Sequence, residues 1–246
     1  GQAVSMGSEL TPEMKRRNMR LKLFDEPSTF WIGMNMNDPV LGSNRPLRYA
    51  INYAIDRERF IDLILSGKGK PAYGFIPLIM GGYDETARDW SPSRCDPARA
   101  RAYLKEAEAL HGGPIPRLRL AIGRTGTVQK QTLQFLSRNL AEIGLQVEIE
   151  LFDWPTFLEK LRNSSHQMFF TGWMADYPDA ESVLQCFYSQ NASWPNSTNF
   201  HSPEFDALYE QVSVMPDSPD RTELYHQAQR LVLDAMPCVF VYHRVG

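Results

Sequence analysis

Residues 170–181 read Phe-Thr-Gly-Trp-Met-Ala-Asp-Tyr-Pro-Asp-Ala-Glu. Two large aromatic side chains, Trp173 and Tyr177, and three carboxylates, Asp176, Asp179 and Glu181, follow an apolar run and are broken by Pro178. A strand that ends in such a loop sets a flat apolar surface beside a fixed negative charge. That pairing suits an ammonium group carried next to an apolar side chain. The same residue types also fit a core tryptophan beside a helix-capping aspartate. Asp179 follows Pro178 and precedes Val183, Leu184 and Phe187, so it reads as an N-cap. Asp176 has no capping role and no cation near it in sequence; it needs an external cation or a distant arginine.

Other chemistries have weaker footing. Asp176 with Asp179 or Glu181 could form the acid/base pair of a hydrolase, which places its carboxylates about 5–9.5 Å apart. A cap role for Asp179 works against that pairing. The chain has no GxSxG, HExxH or Walker A sequence and no GxGxxG after a strand. His111, His166, His201, His226 and His243 stand alone without ligand spacing, and Cys186 and His201 form no recognisable nucleophile pair. No catalytic residue, metal or cofactor is therefore expected. The cysteines, Cys95, Cys186 and Cys238, allow at most one bridge. The Asn-x-Ser/Thr triplets at Asn163, Asn191 and Asn196 read as products of loops rich in Asn and Ser.

A formal net charge of −3 argues against a nucleic-acid or anionic-membrane partner. No apolar run reaches the roughly 18–20 residues that span a bilayer. The first residues, Gly-Gln-Ala-Val-Ser, carry neither a start Met nor a basic and apolar leader, which suggests a processed chain or an excised piece.

The elements that must position this loop follow from periodicity and punctuation. Residues 30–36 alternate as a strand, with Trp31, Gly33 and Asn35 on one side. Asn44, Arg45 and Pro46 open a helix with Leu47, Ala50, Ile51 and Ala54 on one face, and Asp56 caps the next, which Gly67 stops. The long Gly- and Pro-rich connection 67–97 holds too many apolar residues, Phe75, Ile76 and Met80 among them, to be a free linker. Asp96 and Pro97 start a helix that runs to Leu110. Leu118, Leu120 and Ile122, then Leu133, Leu136, Leu140 and Ile143, then Val147, Ile149 and Leu151 spell a parallel βαβ unit. Asp153 caps a short helix, a strand covers 168–173, helices cover 203–214 and 219–236, and a last strand covers 238–243. The expected architecture is a single α/β domain over 1–246, with 1–29 as a lead-in and a mostly parallel sheet flanked by helices. Ligands of open sheets of this type bind beyond the carboxyl ends of strands, where Trp173 and Asp176 fall.

Five segments in order resemble the extracytoplasmic solute-binding proteins of peptide and nickel ABC importers, family 5. They are residues 47–58, 69–77, 173–179, the run Phe205-Asp206-Ala207-Leu208 followed by 221–224, and 237–243. The resemblance implies a periplasmic-binding-protein-like (type II) lobe. It implies that this chain is the second of two lobes that close on a ligand, the first lobe lying outside it. It further implies a periplasmic or other extracytoplasmic location, importer membrane subunits as partners, and a peptide or other small amine-bearing ligand. Asp176 would receive the ligand's ammonium group and Trp173 would pack on its side chains. Tyr177, Asn35 and Trp194 are further candidate ligand contacts. A sensor that docks a receptor instead of an importer is a second use of such a fold. Two positions depart from the family pattern. Phe170 stands where some oligopeptide binders place an arginine for a carboxylate, and Arg45 stands where an aspartate often precedes the proline, which moves the capping role to Asn44.

Overall fold

The computed structural model describes residues 10–20 and 22–246. Its strands are β1 (Asp25–Met34), β2 (Gly69–Pro71), β3 (Leu118–Gly123), β4 (Val147–Phe152), β5 (Met168–Met174) and β6 (Cys238–Val245). The helices are α1 (Pro12–Arg16), α2 (Arg45–Ala54), α3 (Arg57–Leu65), α4 (Ala87–Trp90), α5 (Pro97–His111), α6 (Thr127–Glu142), α7 (Trp154–Arg162), α8 (Glu181–Leu184), α9 (Pro203–Val214) and α10 (Pro219–Ala235). The strands form one six-stranded sheet in the order β2-β6-β1-β5-β3-β4.

Helix starts obey their caps. The side chains of Asn44, Asp56, Asp96 and Asp153 accept the backbone N–H groups of Leu47 (3.1 Å), Arg59 (3.0 Å), Arg99 (3.0 Å) and Thr156 (2.9 Å). Each satisfies a donor that the first helical turn leaves open. Asn44 thus does the capping that Arg45 cannot. Arg45 instead donates from Nε to the Asp234 carbonyl at 2.9 Å and lies over the Tyr49 ring.

The sheet is mixed, which corrects the expectation of a mostly parallel one. β3 pairs parallel with both β4 and β5, as the βαβ spacing predicts. β1 runs antiparallel to β5 and β6, and β2 antiparallel to β6. The antiparallel half joins strands from opposite ends of the chain, such as Thr29 with His243. No local crossover records the direction of such a pair. β1 also starts at Asp25, so residues 25–29 belong to the middle of the sheet and not to a lead-in; residues 1–9 and 21 of that stretch lie outside the described residues.

Period-two alternation gives the sheet two apolar faces. On one, Ile32, Met34, Met168 and Phe170 pack with Leu47 and Ile51 of α2, Phe60 of α3, Leu104 of α5 and Leu136 of α6. On the other, Trp31 and Phe240 meet Phe75, Ile76 and Met80 of the long connection, Val183 and Leu184 of α8, Phe205 of α9 and Val232 of α10. Phe157 and Leu161 of α7 cover Ala121 and Phe169. Register between β1 and β5 is set by size matching: Gly172 lies opposite Phe30, and Gly33 opposite Phe169. A Cβ on Gly172 would come within 2.4 Å of the Phe30 ring, and one on Gly33 within 2.2 Å of the Phe169 ring. Only a residue without a side chain fits at either place.

Candidate functional site

Because β3 and β5 are parallel neighbours, their carboxyl ends emerge on the same edge of the sheet. Trp173 is in the last turn of alternation of β5, on the face it shares with Thr171 and Phe169. It is half-buried and meets Trp194 with ring centroids 6.1 Å apart. Trp194 is 39% exposed, and the Arg162 guanidinium lies 5.9 Å from its ring centroid. The structure thus brings Trp173 and Trp194 into one aromatic wall.

Beyond the strand the chain stays anchored. The Ala175 N–H donates to the Pro27 carbonyl at 2.8 Å, and the Asp176 N–H to Ser182 Oγ at 3.0 Å. These two bonds fix the Asp176 backbone while its side chain stays exposed. Among the described residues nothing donates to its carboxylate and no cation pairs with it. A held backbone with an unsatisfied charge is suited to a partner from outside.

The other two carboxylates are taken. Asp179 Oδ1 accepts the Glu181 N–H at 2.9 Å from one residue ahead of Ala180, the N-cap of α8, so Asp179 ties down the start of the helix without occupying the N-cap position expected of it. It also accepts the Tyr225 hydroxyl at 2.7 Å, and its Oδ2 meets Arg221 Nη1 at 2.6 Å. Burial alone would raise the Asp179 pKa. The Glu181 N–H, the Tyr225 hydroxyl and Arg221 outweigh burial and hold it below the ordinary carboxylate range. Glu181 accepts the hydroxyls of Tyr177 and Tyr209. The Tyr177 phenol is pushed up by burial and by that carboxylate. Tyr177 is 46% exposed, so its ring borders the loop while its hydroxyl is committed to Glu181.

Asn35 belongs elsewhere. Its Nδ2 donates to the carbonyls of Ser164 (3.2 Å) and His166 (3.0 Å). Its Oδ1 accepts the Asn37 N–H (3.0 Å) and Asn199 Nδ2 (2.9 Å). All four bonding positions of the amide are filled and the residue is 4% exposed, so it ties the end of β1 to the turn after α7 instead of contacting a ligand. The strand stops at Met34, two residues short of the expected end, and Asn35 turns inward. Phe170 is 7% exposed, near the rings of Phe30 and Phe60, on the helical face opposite Trp173. Position 170 is a core position in this chain.

One residue escaped the sequence reading. Arg124 directly follows β3 and adopts a left-handed φ of 77°. It is exposed, its guanidinium lies 5.6 Å from the Trp154 ring centroid, and no carboxylate among the described residues pairs with it. A bulky residue in that conformation is uncommon and draws attention to the turn. The turn feeds α6, whose N-cap, Gly126, supplies no side-chain cap. The signal was the place of Arg124 after the first strand of the βαβ unit. Among the described residues no cluster of His, Cys, Asp or Glu could hold a metal ion, and no helix is long and apolar enough to cross a membrane.

Comparison with known proteins decides the family. Residues 5–194 match the model for bacterial extracellular solute-binding proteins, family 5 Middle. The chain belongs to this family. It is 27% identical over 200 residues to the dipeptide-binding protein of Escherichia coli (strain K12), covering 80% of this chain and 37% of that protein. It is 26% identical over 243 residues to the oligopeptide-binding protein OppA of Bacillus subtilis (strain 168), covering 96% and 43%. The chain therefore spans less than half the length of these curated relatives. Among solved structures, HbpA2 from Haemophilus parasuis superposes with a TM-score of 0.85 at 21% identity, covering 95% of this chain and 46% of that one. The periplasmic binding protein DppA from Helicobacter pylori, in complex with the peptide STSA, gives 0.80 at 24% identity, covering 92% and 43%. These likenesses show the type II periplasmic-binding-protein fold, as the sequence segments implied.

Proposed function

We propose that this chain is one lobe of an extracytoplasmic solute-binding protein that delivers a peptide, or a similar amine-bearing solute, to an ABC importer. The observation that carries the proposal is Asp176. It is the only carboxylate of its loop left without a protein partner, on a fixed backbone, beside the Trp173–Trp194 wall. Peptide binding by relatives such as the E. coli dipeptide-binding protein agrees with it. The ligand's ammonium group meets Asp176, and the adjacent side chain lies on Trp173, with the exposed ring of Tyr177 at the border.

Arg124 completes the pair of charges. It leaves β3 on the same sheet edge from which Trp173 and Asp176 leave β5, and no carboxylate among the described residues pairs with it. A peptide with both ends free presents an ammonium and a carboxylate, and Arg124 is the cation placed to receive the second. Position 170 does not serve, because its side chain is in the core.

Binding is by closure against a second lobe, a hinge movement that removes water from these contacts. The protein acts by holding and releasing its solute, without catalysis. A hydrolase pairing Asp176 with Asp179 finds no support, since Arg221 and Tyr225 keep Asp179 ionised where a general acid needs a raised pKa.

Calorimetry on the complete protein tests the reading with short peptides whose amino terminus is free or acetylated. Free peptides bind at micromolar or better affinity and acetylated ones at least about thirtyfold more weakly, as for a desolvated charge pair. Equal affinity for the two forms would overturn the assignment of Asp176. The isolated lobe, with half of the pocket walls, binds the same peptides much more weakly than the complete protein.

A further inference from the structure

Arg124 leaves β3 beside an aromatic ring. Trp154, the first residue of α7, follows β4, and β3 and β4 are parallel neighbours with Gly123 opposite Phe152. The two strands therefore deliver residues 124 and 154 to the same edge of the sheet. The Arg124 guanidinium lies over the Trp154 ring, 5.6 Å from its centroid. The ring also touches the end of β3 itself. A Cβ on Gly123 would come within 2.7 Å of both Trp154 Cε3 and Phe157 Cδ1, so only a glycine lets the indole sit this close to the residue before Arg124.

Trp154 is fixed from within the fold and still reaches solvent. Asp153 caps α7 through the Thr156 N–H at 2.9 Å, and the Trp154 ring meets Phe157 with centroids 5.7 Å apart. Phe157 is 1% exposed and packs with Ala121 and Phe169, whereas Trp154 is 42% exposed. Arg124 makes no hydrogen bond and no ion pair among the described residues, and its φ of 77° is one that a residue with a side chain keeps only where its surroundings hold it. A long, exposed arginine samples many rotamers, and a ligand that binds it must bear the cost of ordering it. An aromatic ring under the guanidinium attracts it through the ring quadrupole. It takes up none of the five N–H donors, which lie in the guanidinium plane and match a planar carboxylate.

We propose that Trp154 is a positioning residue for the ligand's carboxylate. It holds the Arg124 guanidinium at the sheet edge before the ligand arrives, so that binding a carboxylate orders little that is not already ordered. Gly123 belongs to the same device, because any side chain there pushes the indole off the end of β3. Peptides with a free carboxyl terminus gain from Trp154, and amidated peptides, which offer Arg124 no carboxylate, do not. This rests on the reading of Arg124 as the receptor of the peptide's carboxyl terminus; the contact between the two side chains does not.

Two measurements on the complete protein separate the two claims. The first, without ligand, is the NMR signal of the Arg124 Nε–Hε group. In the native protein and in Trp154→Tyr the ring current displaces it from the usual arginine position, and in Trp154→Leu it returns there. A signal that does not move in Trp154→Leu overturns the positioning role whatever the peptides do. The second is calorimetry with trialanine whose carboxyl terminus is free or amidated. The native protein binds the free form at least about tenfold more tightly. Trp154→Leu and Gly123→Ala bring that ratio below about threefold by weakening the free form, and Trp154→Tyr keeps it within about twofold of the native value. An undiminished ratio in Trp154→Leu and Gly123→Ala, or equal weakening of both forms, overturns the positioning role and leaves Arg124 as the receptor. Equal affinity of the native protein for the two forms, with the Arg124 signal displaced by Trp154, overturns Arg124 as the receptor instead, and this proposal with it.

Discussion

The two faces of β5 are built from neighbouring residues and do opposite things. Met168 and Phe170 point into a helical layer, near Phe30 and Phe60, whose buried polar side chains Asn44, Asn52, Arg57 and Asn139 are hydrogen-bonded. Phe169, Thr171 and Trp173 point the other way. There the packing includes two indoles with unpaired N–H groups, two free thiols and a small void. The first face holds the strand in place and the second keeps polar capacity unspent. Real proteins break the rule of full satisfaction mainly where they act. The proposed ligand contacts lie on the Trp173 face, and the Phe170 face is scaffold.

The largest effect expected from this contrast is on stability. Phe170→Ala, on the closed face, lowers the unfolding free energy by about 3–5 kcal/mol in denaturant titrations. Thr171→Ala, next to it on the open face, costs less than about 1 kcal/mol. Comparable losses at both positions would erase the distinction between scaffold and site.

Next is the clamp on the loop. Arg221→Met leaves Asp179 without its cation and costs about 2–3 kcal/mol. The folded-state pKa of Asp179 is depressed, so its contribution is present above the unfolded value of about 3.9 and is lost as pH falls through the lower folded value. Asp179→Asn accordingly flattens the acid end of the stability profile. An unchanged profile would show that the clamp is not what holds the loop.

Arg124→Met leaves stability within about 0.5 kcal/mol. It weakens peptides with a free carboxyl terminus by about tenfold or more and leaves carboxyl-amidated peptides unaffected. Equal loss for both would make Arg124 a packing residue over Trp154.

Last is an effect that is absent at neutral pH, at His243 on the far side of the same sheet. Thr29 Oγ1 donates to the Phe75 carbonyl at 2.8 Å, so at 2.9 Å from His243 Nδ1 it must accept. The neutral ring therefore carries its proton on Nδ1, and Nε2 is buried with no partner. Burial pushes the pKa down to about 4. The unfolded chain binds this proton at about 6.5, so stability falls as pH drops from about 6.5 to about 4, by at most about 1.4 kcal/mol per pH unit. His243→Asn removes that slope; a slope that persists assigns it to another group.

How much of this was legible in the sequence depended on the range of each interaction. The caps at Asn44, Asp56, Asp96 and Asp153 are bonds across three residues, and residue type and spacing sufficed for them. The β3–α6–β4 unit was readable for the same reason. The division of labour between Asp176 and Asp179 was half readable. The bond from the Glu181 N–H is local, but Arg221 lies 42 residues from Asp179 and nothing in either neighbourhood names the other. The antiparallel placement of β1 between β5 and β6 depends on pairings across most of the chain. Asn35 was misread because an amide on a strand says nothing about whether distant carbonyls will claim it. Arg124 was missed because its role depends on β3 and β5 being neighbours, which only the assembled sheet reveals.

The central claim is that Asp176, unpaired among the described residues, is reserved for an ammonium group. A double-mutant cycle on the complete protein addresses it directly, combining Asp176→Asn with acetylation of the peptide's amino terminus. Each change alone is predicted to weaken binding by about 30- to 1,000-fold, equivalent to about 2–4 kcal/mol. Together they should weaken it by little more than either one, with the stability of the protein unchanged. Additive losses, or full affinity in Asp176→Asn, would contradict the account.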